Sequence, residues 1–389
     1  MKSQASRVVL ASATSSLALS PPFLVGSLAV QMGTDLRLTP STLGIAVSSF
    51  FAATALSSSS LGRWIDRTST RTGLLVVVGA ALFALLSLSL VTSLAFVVMA
   101  LMSAGIANGA VQPAANRLLA DGDRSSLGFA LGIKQSALPA ASLLGGLAVP
   151  TVALTVGWRW VFVVATGLGL VLLVRLIRLS PQDKPAHRSN VDDRPEAPPV
   201  RSWVKVISAG AGAGAVVGSC LGAFLVDSGA STAGLSPANA GLLSAAASGA
   251  ALTVRVGSGW FADRTSATDP VTSILRLLCL GSAGFLLMSL GGPVPFGIGA
   301  VIAFGAGFGW TGLVHFAVLA DQSGGPGRAT GLLMSGFAFG SASGPLVMGR
   351  VAQEWGYDTM WLLLGGVALV SASLMAVTRR VRSAQLALP

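Results

Sequence analysis

Lys134 and Arg255 each stand within a long apolar run. An ionised side chain in hydrocarbon costs about 2.5–3.5 kcal/mol on insertion scales, so a span that keeps one is expected to use it, and what a cation there can do is hold an anion. Lys134 lies eight residues after Ser126, and Arg255 lies eight residues before Asp263. At 1.5 Å per residue both stand roughly 12 Å from the nearest polar end of their runs. No comparable acid shares either run. Two buried positive charges without a partner repel unless something negative joins them, and this gives the plain expectation of an anionic small-molecule ligand. Snorkelling of both long side chains to the headgroups is the competing reading.

Three further polar residues, Asn108, Gln112 and Asn116, recur every four positions and therefore share one helix face. They read as a hydrogen-bonding wall of a cavity or, alternatively, as links between packed helices. Gln135 follows Lys134 and points elsewhere round the helix, and Arg117 reads as interfacial. His315 is the one histidine inside an apolar run. It could relay a proton, since imidazole titrates near physiological pH, or it could be a hydrogen-bonded packing residue. Asp35, Asp121, Asp227 and Asp321 fall at the ends of runs, so a central carboxylate carrying a coupling proton is not supported. A coupling proton would have to ride on the ligand, on His315 or on an end carboxylate, and exchange is the remaining route. The runs hold no metal-type His/Asp cluster, no carboxylate pair and no serine with a base in reach, and the phosphate loop G-x-x-x-x-G-K-[ST] is absent. Neither an enzyme nor a bound metal or cofactor is expected.

The elements that carry these residues follow from composition. The chain is 52% apolar and only 10% charged, against about 25% charged in soluble domains. Repeated apolar runs of this length are membrane-spanning helices, because hydrocarbon offers backbone groups no partner outside the helix itself. The 48 glycines suit close helix approach. Lys2 and Arg7 followed by an apolar run could open a secretory signal, but the run continues past Pro21 and Pro22 to about Met32, so it reads as a retained first helix. Cys220 and Cys279 fall inside runs and read as core.

Twelve spans are expected, at 8–32, 41–61, 73–93, 95–118, 127–149, 159–179, 204–226, 238–260, 272–291, 295–319, 329–350 and 358–378. The polar, proline-rich stretch 180–202 reads as a flexible linker. The fold class is therefore an all-α membrane protein of twelve transmembrane helices, with six-helix bundles at 1–179 and 203–389. With the N-terminus cytoplasmic, 20 of the 25 Lys and Arg residues fall on the cytoplasmic side, which places both termini inside by the positive-inside rule. The net charge of +11 is thus assigned to topology in a cell-membrane protein, with the lipid bilayer and not nucleic acid as its partner.

The halves repeat. Gly62, Asp66, Arg67 and Arg71 form G-x-x-x-D-R-x-x-x-R after the second run, and Gly259, Asp263 and Arg264 repeat its first part 197 residues later. Pro40 and Pro237 each precede the Asp by 26 residues. Ala120-Asp121 is matched by Ala320-Asp321, and Gly157-Trp158-Arg159-Trp160 is echoed loosely by Gly356-Tyr357-Asp358-Thr359. Parallel six-helix repeats place a central site between the halves.

These motifs, with the 6+6 layout, resemble the major facilitator superfamily over nearly the whole chain. The resemblance implies secondary transport by alternating access about a midplane cavity lined by helices 1, 4, 7 and 10 with parts of 2, 5, 8 and 11. It makes Asp66 and Asp263 conformational latches within gating loops, the second loop lacking the later arginine. It also makes helices 5 and 8 neighbours across the halves, so that Lys134 and Arg255 can approach one another. Arg255, four residues before Gly259, is similar to the helix-8 arginine that binds carboxylate in monocarboxylate and oxalate carriers, although their preceding Asp is replaced by Ala251. The leading expectation is a transporter of a small organic anion, a carboxylate by preference. The alternatives are a proton-driven drug exporter of the same superfamily and a transporter-like sensor. Gly331, Gly340, Gly344, Pro345 and Gly349 in helix 11 resemble an exporter motif but occur in the wrong helix.

Overall fold

The computed structural model describes residues 4–119, 127–178, 201–264, 269–320 and 326–386. The described residues are almost wholly helical. In chain order, α1 is Gln4–Ser27 continued by Ala29–Leu36, α2 is Pro40–Arg67, α3 is Thr70–Ser89, and α4 is Leu94–Asn108 followed by Val111–Leu119. α5 runs through Leu127–Gln135 and Ala137–Ala148 into a wider turn, Val149–Ala153, and α6 is Trp158–Ile177. The second half repeats this with α7 at Ser202–Ser231, α8 at Pro237–Arg264, α9 at Pro270–Ser289, and α10 at Pro293–Gly305 and Thr311–Ala320. Pro326–Leu386 holds the last two spans, α11 and α12, divided at Gly356, whose φ of 84° is non-helical. Among the described residues ten helices are long and apolar enough to cross a membrane. The linker expected at 180–202 lies outside the described residues except for Arg201 and Ser202.

The start signals are local. Pro40 follows the N-cap Thr39, which makes a reciprocal capping box with Thr42. Ser69 caps α3, and Asp269 occupies the matching position before α9, each accepting from the backbone N–H three residues on. The two membrane-crossing helices expected to be continuous at 95–118 and 295–319 are instead broken, α4 at Gly109-Ala110 and α10 at Ala306–Trp310. The breaks lie at the same place in the repeat, where glycines weaken the helix.

One tether recurs in both halves. Gly157 and Gly356 have φ of 106° and 84° and turn the chain into the sixth helix of each half. The aromatic residue after each donates to an Asp at the end of the half's first helix: Trp158 Nε1 to Asp35 at 2.9 Å, and the Tyr357 hydroxyl to Asp227. At the opposite end, which carries the Asp-Arg loops, α3 is tied to the end of α6 by Arg71 Nη2 to the Ile177 carbonyl at 2.5 Å. Its counterpart ties α9 to α12 through Asp269 and Arg382 at 2.9 Å.

The cores differ between the two ends. Beyond the middle, away from the Asp-Arg loops, one apolar core runs through both halves, from Phe23, Phe50 and Phe162 to Phe224, Phe304 and Trp361. Toward the loops each half has its own core, one around Ile65, Val78 and Leu176 and the other around Trp203, Ile274 and Leu313. The shared end is closed by backbone approaches. A Cβ on Gly146 of α5 would stand 2.5 Å from the Gly241 carbonyl oxygen of α8, and comparable overlaps block Cβ atoms on Gly26 against α7 and Gly44 against α11.

Candidate functional site

Where the shared core ends, α5, α8 and α10 meet in a polar knot. Its first part is made by a missing donor. Pro139 has no N–H to give the carbonyl four residues earlier, which is that of Gln135, and this freed oxygen accepts from Arg255 Nη1 across the halves. The second part comes from the break in α10. Arg255 Nε and Nη2 reach the Phe308 carbonyl at 3.2 and 2.9 Å, and the guanidinium lies over the Phe308 ring, 4.3 Å from its centroid. A buried carbonyl left unpaired costs about 1–3 kcal/mol, and Arg255 satisfies two. α7 makes room for the break through Gly218 and Gly214, where a Cβ would run into the rings of Phe308 and Trp310.

Arg255 is 1% exposed and faces protein rather than lipid. Among the described residues its N–H groups meet only neutral carbonyl oxygens, three donors out of the five a guanidinium carries. Its positive charge has no carboxylate against it among those residues.

Lys134 is likewise buried, at 4% exposure, and its Nζ donates to Gln112 Oε1 at 2.7 Å, joining α5 to α4. Asn108, one turn earlier, donates through Nδ2 to Thr54 Oγ1 of α2 at 3.3 Å. Both residues therefore bridge helices within the first half. The Asn116 side chain lies outside the described residues.

His315 closes the knot from α10. It is 7% exposed and stacked on Phe337 with ring centroids 5.5 Å apart. Nδ1 is 2.7 Å from the Thr311 carbonyl, which can only accept, so Nδ1 carries the proton and Nε2 offers its lone pair. Gln135 Nε2 stands 3.0 Å from that lone pair and donates to it. A proton relay through Nε2 would have to displace this amide. Gln135, the chain neighbour of Lys134, bonds both His315 and Arg255, so these groups lie in one neighbourhood.

Gln135, Phe308 and Phe337 were not legible as site residues from side-chain type alone. A signal was present for Gln135: a proline four residues downstream in an apolar run frees its carbonyl. Of the residues expected to form gating loops, Gly62 meets nothing within 4 Å of a built Cβ, Gly259 is buried, and Arg264 lies over the Trp260 ring at 4.1 Å. Arg67 is exposed. The Asp66 and Asp263 side chains, the proposed latches, lie outside the described residues.

Three comparisons place the whole. The family model described as the Major Facilitator Superfamily matches residues 8–326. A bacterial homologue of the human lysosomal transporter Spinster, solved inward-facing and unoccupied, superposes with a TM-score of 0.73 at 17% identity, covering 97% of each chain. Its inward-facing, occupied form gives 0.72 at 18% identity over 98% of each chain. The human organic anion transporter MFSD10 (TETRAN) gives 0.68 at 17% identity, covering 96% of this chain and 100% of that one. Comparison with curated proteins by sequence finds no match. With a family match over most of its length and the all-helical fold to go with it, the chain belongs to the major facilitator superfamily of membrane transporters.

Proposed function

We propose that the protein carries small organic anions, carboxylates by preference, by alternating access between bundles 1–179 and 203–389, with Arg255 as the principal ligand and Lys134 adding positive potential. The observation that carries this reading is the buried Arg255 guanidinium at the junction of the halves, held by carbonyls rather than by an acid, with two N–H groups left to offer. A carboxylate accepts a pair of such donors, and charge-assisted hydrogen bonds are roughly twice as strong as neutral ones. MFSD10, named as an organic anion transporter, has the same overall fold.

The exporter reading calls for free aromatic surface around the cargo. Here the Phe308 ring covers Arg255 and the Phe337 ring stacks between His315 and Trp310, so both are already engaged. The Asp-Arg loops are assigned to the cytoplasm on the distribution of Lys and Arg, with both termini on that side of the cell membrane. Among the described residues the apolar core joins the halves at the far end, and this supports an inward-facing state.

The test is uptake of radiolabelled lactate, succinate and benzoate into proteoliposomes. Arg255→Ala is expected to lower carboxylate transport by at least about a hundredfold, and Arg255→Lys to restore little of it, because a point charge replaces a fork. Lys134→Ala is expected to raise KM by about tenfold. Carboxylate transport at the same rate in wild type and Arg255→Ala would overturn the assignment.

A further inference from the structure

The knot does something that an anion site alone does not require. Gln135 reaches the second half twice, once through its main-chain carbonyl to Arg255 of α8 and once through its side-chain amide to His315 of α10. Both bonds cross the junction that must rearrange when the bundles rock. The carbonyl bond uses one of the N–H groups of the very guanidinium assigned to the cargo.

We propose that Gln135 is a clasp that holds the empty carrier still, and that transport is consequently an exchange of one anion for another. This rests on the reading of Arg255 as the anion ligand. With no anion present, Arg255 Nη1 is held by the freed Gln135 carbonyl and the halves are pinned at this level. A carboxylate at the two free N–H groups brings a charged acceptor beside Nη1, and there it outcompetes the neutral Gln135 carbonyl for that donor as well. The clasp then opens only in the loaded carrier. A loaded carrier reorients readily and an empty one does not, and a carrier with that asymmetry swaps anions across the membrane faster than it delivers them net.

The arrangement also explains why α5 keeps Pro139 in a helix that must pack closely. With an N–H at position 139 the Gln135 carbonyl would be drawn into its own helix and lost to Arg255. Gln135 acts as a positioning residue, since its side chain bonds His315 and not the cargo.

Two measurements test the clasp. In proteoliposomes, labelled lactate, succinate or benzoate is taken up either against the same unlabelled anion inside or into vesicles without it. Wild type is expected to favour the exchange mode by about tenfold or more. Gln135→Leu, which removes the amide bond, and Pro139→Ala, which competes for the carbonyl, are expected to raise net uptake several-fold while KM stays within about threefold of wild type. Equal net and exchange rates in wild type overturn the clasp and leave the Arg255 reading standing. Loss of transport in both modes for wild type overturns the Arg255 reading and the exchange cycle with it.

The second measurement needs no anion. Spin labels at Thr155→Cys and Ser231→Cys, exposed positions at the far ends of α5 and α7, with Cys279→Ser to remove the exposed native thiol, report far-end separation in the empty protein. One short distance in wild type and an added longer one in Gln135→Leu support the clasp. An unchanged distance distribution in Gln135→Leu and Pro139→Ala overturns it.

Discussion

Arg255 is a buried cation whose hydrogen bonds, among the described residues, go to neutral oxygens alone. Two main-chain oxygens, one freed by a proline and one by a helix break, accept three of its hydrogen bonds. At the other end of the molecule the chemistry is ordinary and testable by pH. The hydrogen bond from Trp158, and then the one from Arg159, hold the Asp35 carboxyl below its usual range. A lowered folded-state value means the carboxylate stabilises the fold above its unfolded value, near 3.9, and loses that contribution as pH falls through the lower folded one. Asp35→Asn is therefore expected to lower stability in detergent by about 1 kcal/mol at pH 7, since the pair is nearly half exposed. The difference in melting temperature from wild type should shrink below about pH 4, and a constant difference down to pH 3 would contradict the assignment.

At the scale of elements, the broken helices do the positioning. α10 stops at Gly305 and resumes at Thr311, and the intervening turn presents the Phe308 carbonyl to Arg255. That turn is seated on α7, whose Gly214 and Gly218 receive Trp310 and Phe308. Adding even two methyl groups at such a contact costs about 1–3 kcal/mol through forced shifts. Gly218→Val is accordingly expected to move the Phe308 ring and carbonyl away from Arg255. Carboxylate KM should rise by about tenfold, while Gly229→Ala, whose added Cβ would meet neighbours no closer than 3.3 Å, leaves it nearly unchanged. Equal effects from the two substitutions would separate the α10 turn from ligand binding.

At the scale of the whole molecule, a single apolar core binds the halves at the end away from the Asp-Arg loops, and separate cores serve them at the loop end. The polar knot sits at the level where the core divides, with Ala251 and Phe308 in the shared core and Leu313 in the second half's own. In the proposed alternating-access cycle one seal opens as the other forms. Gly146 and Gly241 approach across the far-end seal closely enough that each lacks room for a Cβ against the other's carbonyl. Gly146→Ala and Gly241→Ala, each of which drives a Cβ into the opposing helix, are expected to strain the far-end seal and to reduce turnover by about tenfold. Full transport in both variants would show that the far end does not need to close.

Much of this was readable in the residues. Hydrocarbon leaves a backbone no partner but its own helix, so the apolar runs declared an all-helical membrane protein, and the 197-residue repeat declared two similar halves. The burial cost of charge singled out Lys134 and Arg255. What could not be read was which groups face them. Spacing makes Gln135 a weaker candidate than Lys134, since it follows only the turn of its own helix, whereas the contacts of Gln135 come from a carbonyl that Pro139 frees and from the approach of α8 and α10. The breaks at Gly109 and Ala306–Trp310 were hidden for a related reason: glycine permits both a close helix and an interrupted one, and packing against α7 selects between them. Side-chain type and spacing determined that cations fall inside the apolar runs; only the contact of three helices from two halves decided that carbonyl oxygens, and among the described residues no carboxylate, hold Arg255, because an orphan carbonyl finds its donor across the fold and not along the chain.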